Sequence, residues 1–66
     1  MAVVKIIETI GISEKSFDDA LNQALERTCS KVRNVTGAKI VSQNVDIENG
    51  KIVRYKVNAK IAFTVE

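Results

Sequence analysis

Residues able to do covalent or acid–base chemistry are scarce in this chain of 66 residues. It has no histidine and one cysteine, Cys29. A thiol becomes a nucleophile beside a base or in a positive field. Arg33 lies one helical turn from Cys29, but without histidine neither a Cys–His nor a Ser–His pair can be assembled. The same counts exclude a zinc-type ligand set and an internal disulfide, and no glycine-rich phosphate loop occurs. The reading is therefore non-enzymatic.

What remains is the chemistry of charge. Lys39, Arg54, Lys56 and Lys60 are spaced to lie as a basic strip across a sheet. Solvated or intersubunit ion pairing explains such a strip first, an anionic small ligand second, and a single-stranded nucleic-acid platform third. Tyr55 points to the opposite face from Arg54 and Lys56, so no aromatic interleaves with the charges. A net charge of +2 is also too mild to argue for nucleic acid. Glu14, Asp18 and Asp19 suit the positive end of a helix dipole. Adjacent helical residues do not share a face, so a calcium ion there needs carboxylates brought together by assembly. Asp46 and Glu48 are open to the same reading.

The elements that carry these residues are punctuated by Gly11, Gly37 and Gly50, with no proline anywhere. Residues 2–10 are β-branched and apolar on both parities, which predicts a strand touched on both faces. Ser13 is a good N-cap, and Ile12 with Phe17 has the spacing of a hydrophobic staple. Phe17, Ala20, Leu21, Ala24, Leu25, Cys29 and Val32 then form one apolar stripe of about five helical turns. On that stripe Cys29 reads as a small buried hydrophobe. Arg27, Lys31 and Arg33 favour the helix end, and Asn34 to Gly37 closes it, with Gly37 as the left-handed C′ residue.

Residues 38–47 alternate poorly, whereas residues 53–65 alternate cleanly: Val53, Tyr55, Val57, Ala59, Ile61, Phe63 and Val65 share one parity. Asn49-Gly50 between them signals a hairpin. A strict two-residue turn pairs Ile47 with Ile52, Val45 with Arg54 and Val41 with Asn58. An odd loop or a bulge at Gly50 pairs Val45 with Val53 or Tyr55 instead. The fold class is α+β, in the order β1-α-β2-β3, with a three-stranded antiparallel sheet packed on one helix as one domain over residues 1–66.

A chain this short hides only about 60% of its unfolded surface. Lacking disulfides and metal ligands, it is left with oligomerisation as the remedy. No apolar run approaches the ~20 residues that span a bilayer, and residues 1–5 lack the pattern of a signal peptide, so a cytoplasmic protein is expected.

Several of these positions together resemble the dodecins. They are Gly11-Ile12-Ser13-Glu14-Lys15-Ser16-Phe17, then Ala20, Ala24 and Arg27, then Ala38-Lys39-Ile40-Val41-Ser42-Gln43, and Tyr55-Lys56-Val57 through to Phe63. The resemblance covers nearly the whole chain. It implies a homo-oligomer, a hollow shell of twelve copies, and a flavin such as FMN or riboflavin as stored ligand. By the same resemblance Gly37, Lys56 and Gln43 are the pocket positions. The family pattern puts a flavin-stacking tryptophan where this chain has Gly37, and a glutamine that bonds the flavin edge where it has Lys56. An aromatic face of about 150–250 Å² at ~25 cal/mol/Å² is worth up to about 4–6 kcal/mol. Its loss predicts a flavin site weakened by several orders of magnitude. Lys56 would then favour an anionic ligand such as a phosphate-bearing nucleotide.

Overall fold

In a computed structural model, which describes residues 3–65, the elements are β1 (Val3–Ser13), α1 (Phe17–Cys29), β2 (Val35–Glu48) and β3 (Lys51–Val65). Ala2, assigned above to the first strand, lies outside those residues. The sheet order is β1-β3-β2, and both pairings are antiparallel. The α+β architecture is thus the one expected. The strand with the cleanest alternation is central, where both its edges are hydrogen-bonded. One of its faces, Val57, Ala59 and Ile61, is fully buried under the helix.

Helix α1 begins later than its first capping signal. Ser16, extended at φ −168° and ψ 166°, is the N-cap, and its hydroxyl accepts from the Asp19 N–H at 3.0 Å. Ser13 instead closes the strand. It pairs with Tyr55, its hydroxyl donates to Asp19 Oδ2 at 2.6 Å, and it accepts from the Lys15 N–H at 2.9 Å. The long β3 supplies backbone partners as far as Ser13, which outweighs the local signal to start a helix there. The Ile12–Phe17 staple consequently does not form, since Phe17 is the first helical residue and Ile12 is 48% exposed.

Gly11 is no break either. It lies within β1, buried, where an added Cβ would run into the Ala20 carbonyl oxygen and meet Ala24 Cβ at 3.1 Å. This close approach lets the helix settle on the sheet through Ala20, Ala24 and Thr28, spaced by four. Phe17 and Leu21 pack beside that ridge, and Phe17 meets Tyr55 edge-on at 5.1 Å. Thr28 takes the inward position expected of Cys29, which is exposed. The helix stops at Cys29, so Lys31, Val32 and Arg33 lie beyond it.

Gly37 is not the helix C′ residue. Asn34 takes the left-handed conformation, at φ 61°, and Gly37 lies inside β2, opposite Ala62. At the hairpin Asn49 (φ 54°) and Gly50 (φ 76°) form a two-residue turn with both central residues left-handed, which pairs Ile47 with Ile52. A bulge at Val53, not at Gly50, then sets Val45 against Tyr55. A second bulge, at Val41, undoes the offset, and a third follows at Thr36.

The helix packs on β1 and β3 and leaves β2 largely outside its cover. The molecule measures 52 × 19 × 13 Å with a radius of gyration of 13.5 Å, against about 11 Å for a compact chain of this length. Its accessible surface of 4985 Å² likewise exceeds the ~4200 Å² typical of this mass.

Candidate functional site

Residues directly opposite each other in an antiparallel pair share a face. With Val57, Ala59 and Ile61 buried under α1, the alternate residues of β3 look the other way. The middle of the helix-free face therefore consists of four cross-strand rows, Ile12–Lys56–Asn44, Ile10–Asn58–Ser42, Glu8–Lys60–Lys39 and Ile6–Ala62–Gly37, with Arg54–Asp46 beyond one end and Val4–Thr64 beyond the other. On β1 this face is strongly apolar, with Val4, Ile6, Ile10 and Ile12 all about half exposed.

Of the three pocket positions inferred by resemblance, Gly37 and Lys56 share this face. They are not neighbours, however. Gly37 is opposite Ala62, six residues along β3 from Lys56 (62 − 56), or roughly 20 Å at ~3.3 Å per residue. Gln43 is opposite Val57 and so lies on the other face, exposed beyond the helix. A pocket using all three draws on more than one copy of the chain.

The basic strip divides in two. Arg54 Nε donates to Asp46 Oδ2 at 2.9 Å, its Nη2 lies 3.6 Å from Glu48, and Lys56 Nζ lies 3.2 Å from Asp46 Oδ1. The hydrogen bonds from Arg54 and then Lys56 hold the Asp46 carboxyl below the usual carboxylate range, and Asp46 in turn raises Arg54. These pairs form within one chain, because the Val53 bulge sets Asp46 opposite Arg54. Lys39 and Lys60 face each other across β2 and β3, and neither is ion-paired among the described residues. On α1, hydrogen bonds from Ser13 and then Gln23 hold Asp19 below its ordinary value. Asp19 thus ties the end of β1 to the first turns of α1. No group of three or more Asp, Glu, Cys or His with metal-binding geometry occurs among the described residues.

A flavin in the family's manner is poorly matched by this face. An added Cβ at Gly37 would meet nothing within 4 Å, so the site is open but has no stacking side chain. All three aromatic residues lie elsewhere: Phe17 is on the helix, and Tyr55 and Phe63 have the parity of the helix side. Lys56 is committed to Asp46. Sequence reasoning missed Asp46 as that partner and missed the opposed Lys39–Lys60 pair. The only signal was charge order along two strands, which has no meaning until the register is known. Asn58 adds one more feature, an amide oxygen closed off from solvent with no hydrogen-bond partner among the described residues.

One helix layered on a sheet of this strand order defines a small β-α-β-β class, and solved structures of that class overlay closely. The dodecin of Streptomyces coelicolor matches with a TM-score of 0.94 at 23% identity, covering 98% of this chain and 93% of that one. A tryptophan-to-phenylalanine variant of Thermus thermophilus dodecin matches at 0.95 and 24% identity, covering 100% and 98%. The crystal structure of Mycobacterium tuberculosis calcium dodecin, a calcium-chelating antigen, matches at 0.84 and 28% identity, covering 97% and 91%. In sequence, calcium dodecin of the same organism is 25% identical over 63 residues, covering 96% of this chain and 89% of the relative. The family model Dodecin matches residues 3–66. The chain belongs to the dodecin family.

Proposed function

We propose that this chain is the subunit of a hollow, dodecin-type homo-oligomer that stores a small ligand between its copies, with no tryptophan to stack on a flavin. It works as a binding protein, without catalysis. One observation carries the reading: a chain with little core leaves a half-exposed apolar row, Val4, Ile6, Ile10 and Ile12, along one face of its sheet. A solitary soluble domain rarely exposes so many large apolar residues along one strand face, interrupted here by Glu8 alone. Separation of Gly37 from Lys56, and of both from Gln43, supports a ligand held between subunits.

Native mass tests the assembly. Twelve copies of 7.3 kDa should appear at roughly 88 kDa, whereas a species of one or two copies at micromolar dilution sinks the shell and the storage role with it. Mixing the assembled protein with riboflavin or FMN should give weak quenching of flavin fluorescence or none. Tight quenching would mean that another group does the work of the missing tryptophan.

A calcium-holding shell is the second reading, favoured by the relative named calcium dodecin. Asp46 and Glu48 are already engaged by Arg54 and Lys56. An ion would therefore need carboxylates from separate copies, and a calcium titration of the assembled protein distinguishes the two.

A further inference from the structure

Two of the three bulges in the hairpin cancel each other. The Val53 bulge lies on β3 and the Val41 bulge on β2, so the second undoes the offset that the first introduces. Outside them, Ile47–Ile52 and Ile40–Ala59 keep one common register. Between them, Ser42–Asp46 is displaced by one residue against Arg54–Asn58. Flattening both bulges together would leave every pair outside them intact, and the β1–β3 ladder as well. It would set Asp46 opposite Val53 and Val41 opposite Asn58, and it would turn each residue of Ser42–Asp46 to the other face.

The two arrangements are held by opposing forces. Backbone pairing favours the flush one, because each bulge leaves a residue out of the ladder. Burial does little to fix the register: β2 is an edge strand, and Ser42, Gln43 and Asn44 are exposed. The displaced register has two supports. Val45 stands half-buried beside Tyr55, and Asp46 stands opposite Arg54, bonded to it at 2.9 Å and lying 3.2 Å from Lys56. In the flush register Asp46 would point away from both cations. The side chains of this ion-paired cluster, Glu48 included, are 31–64% exposed, so each pair contributes little. A weak electrostatic advantage is thus set against a weak pairing advantage.

We propose that Ser42–Asp46 is a two-register element, kept in the displaced register by the Asp46 carboxylate and released to the flush register when that charge is lost. The slip changes what β2 shows on the helix-free face. Ser42, Asn44 and Asp46 give way to Val41, Gln43 and Val45 beside Asn58, Lys56 and Arg54, so a polar strip becomes a largely apolar one. The bulges at Val41 and Val53 confine the change to a short segment between two fixed ends, which makes it a discrete switch between two packings of one sequence.

Cysteine cross-linking of the assembled full chain, in a Cys29→Ser background, reads the register. Directly opposed residues bring their Cβ atoms within about 4.5–5.5 Å, whereas neighbours along a strand face opposite sides. Val45→Cys with Tyr55→Cys therefore reports the displaced register, and Asn44→Cys with Tyr55→Cys the flush one. In a glutathione redox buffer, Asp46→Asn should raise the second bridge relative to the first by at least about tenfold, a difference of ~1.4 kcal/mol. Lys39→Gln, outside the bulges, should leave the ratio unchanged. A ratio that moves less than about threefold with Asp46→Asn overturns the proposal, as does an equal shift with Lys39→Gln. Should the cysteine variants not fold, a crystal structure of Asp46→Asn decides: Asn44 opposite Tyr55 is expected, and Val45 still opposite Tyr55 overturns the switch.

Discussion

Replacing Gly37 with tryptophan should create or strengthen flavin affinity in this protein. The position is not strained: Gly37 lies in a strand, outside the left-handed region, and its missing side chain would project into open space. A full aromatic side chain buries about 150–250 Å², worth up to about 4–6 kcal/mol at ~25 cal/mol/Å². Only one ring face meets the ligand, which halves this to about 2–3 kcal/mol, and stacking adds about 0.5–1.5 kcal/mol. Ordering the indole opposes by about 0.5–1.5 kcal/mol. The net gain is about 2–3 kcal/mol, or roughly 30- to 150-fold in dissociation constant. Titrating riboflavin with the variant and following the decrease in flavin fluorescence reads that change, with Gly37→Ala as the control that adds bulk but no ring. A gain below about threefold at unchanged native mass would refute the reasoning. It would mean that the helix-free face at Gly37 is closed in the assembly, and that the fold was inherited without the pocket.

Three further perturbations probe the scaffold. Gly11→Ala should destabilise by about 1–3 kcal/mol or more, because the helix must lift from β1 to clear the Ala20 carbonyl; a thermal midpoint within a degree of wild type would contradict that close approach. Ser16→Ala should cost about 1 kcal/mol and shorten the helix at its start, seen as reduced helical circular dichroism, and no change would return the cap to Ser13. Asp19 and Asp46 titrate below their ordinary value near 3.8. A carboxyl depressed in the folded state stabilises above its unfolded pKa and loses that contribution as pH falls through the folded one. Thermal stability should thus hold from pH 7 to about 5 and decline below about 4, less steeply in Asp46→Asn; a midpoint unchanged down to pH 2 would refute the ion-paired geometry.

The helix and the central strand were legible because each answers to a local period: the stripe through Ala20 and Ala24, and the alternation from Val57 to Phe63. The boundaries were not. Ser13 looks like a cap as much as Ser16 does, and only pairing with Tyr55 extends β1 through it. Cys29 and Thr28 are adjacent on the helix and point about 100° apart, so the rotation of the helix on the sheet decides which is buried, and the Ala20–Ala24 ridge carries Thr28 inward. Gly37 looked like a helix end because glycine is the usual left-handed residue there, whereas the helix stops at Cys29 and Asn34 takes the left-handed conformation just before β2. The two registers considered for the hairpin each hold over part of it. The strict turn governs Ile47–Ile52, the Val53 bulge governs Val45–Tyr55, and the Val41 bulge restores the first offset, so that Lys39 meets Lys60.

Taken alone, the residues determined the inventory: no histidine, a single cysteine, one amphipathic helix and three strands rich in β-branched residues. They also determined that no tryptophan is present to stack on a flavin, which is visible without coordinates. Tertiary structure decided which charges meet. A salt bridge or an opposed cation pair depends on strand register, and a one-residue bulge exchanges every partner downstream of it. Asp46 therefore became the partner of Arg54 and Lys56, and Lys39 and Lys60 were left facing each other.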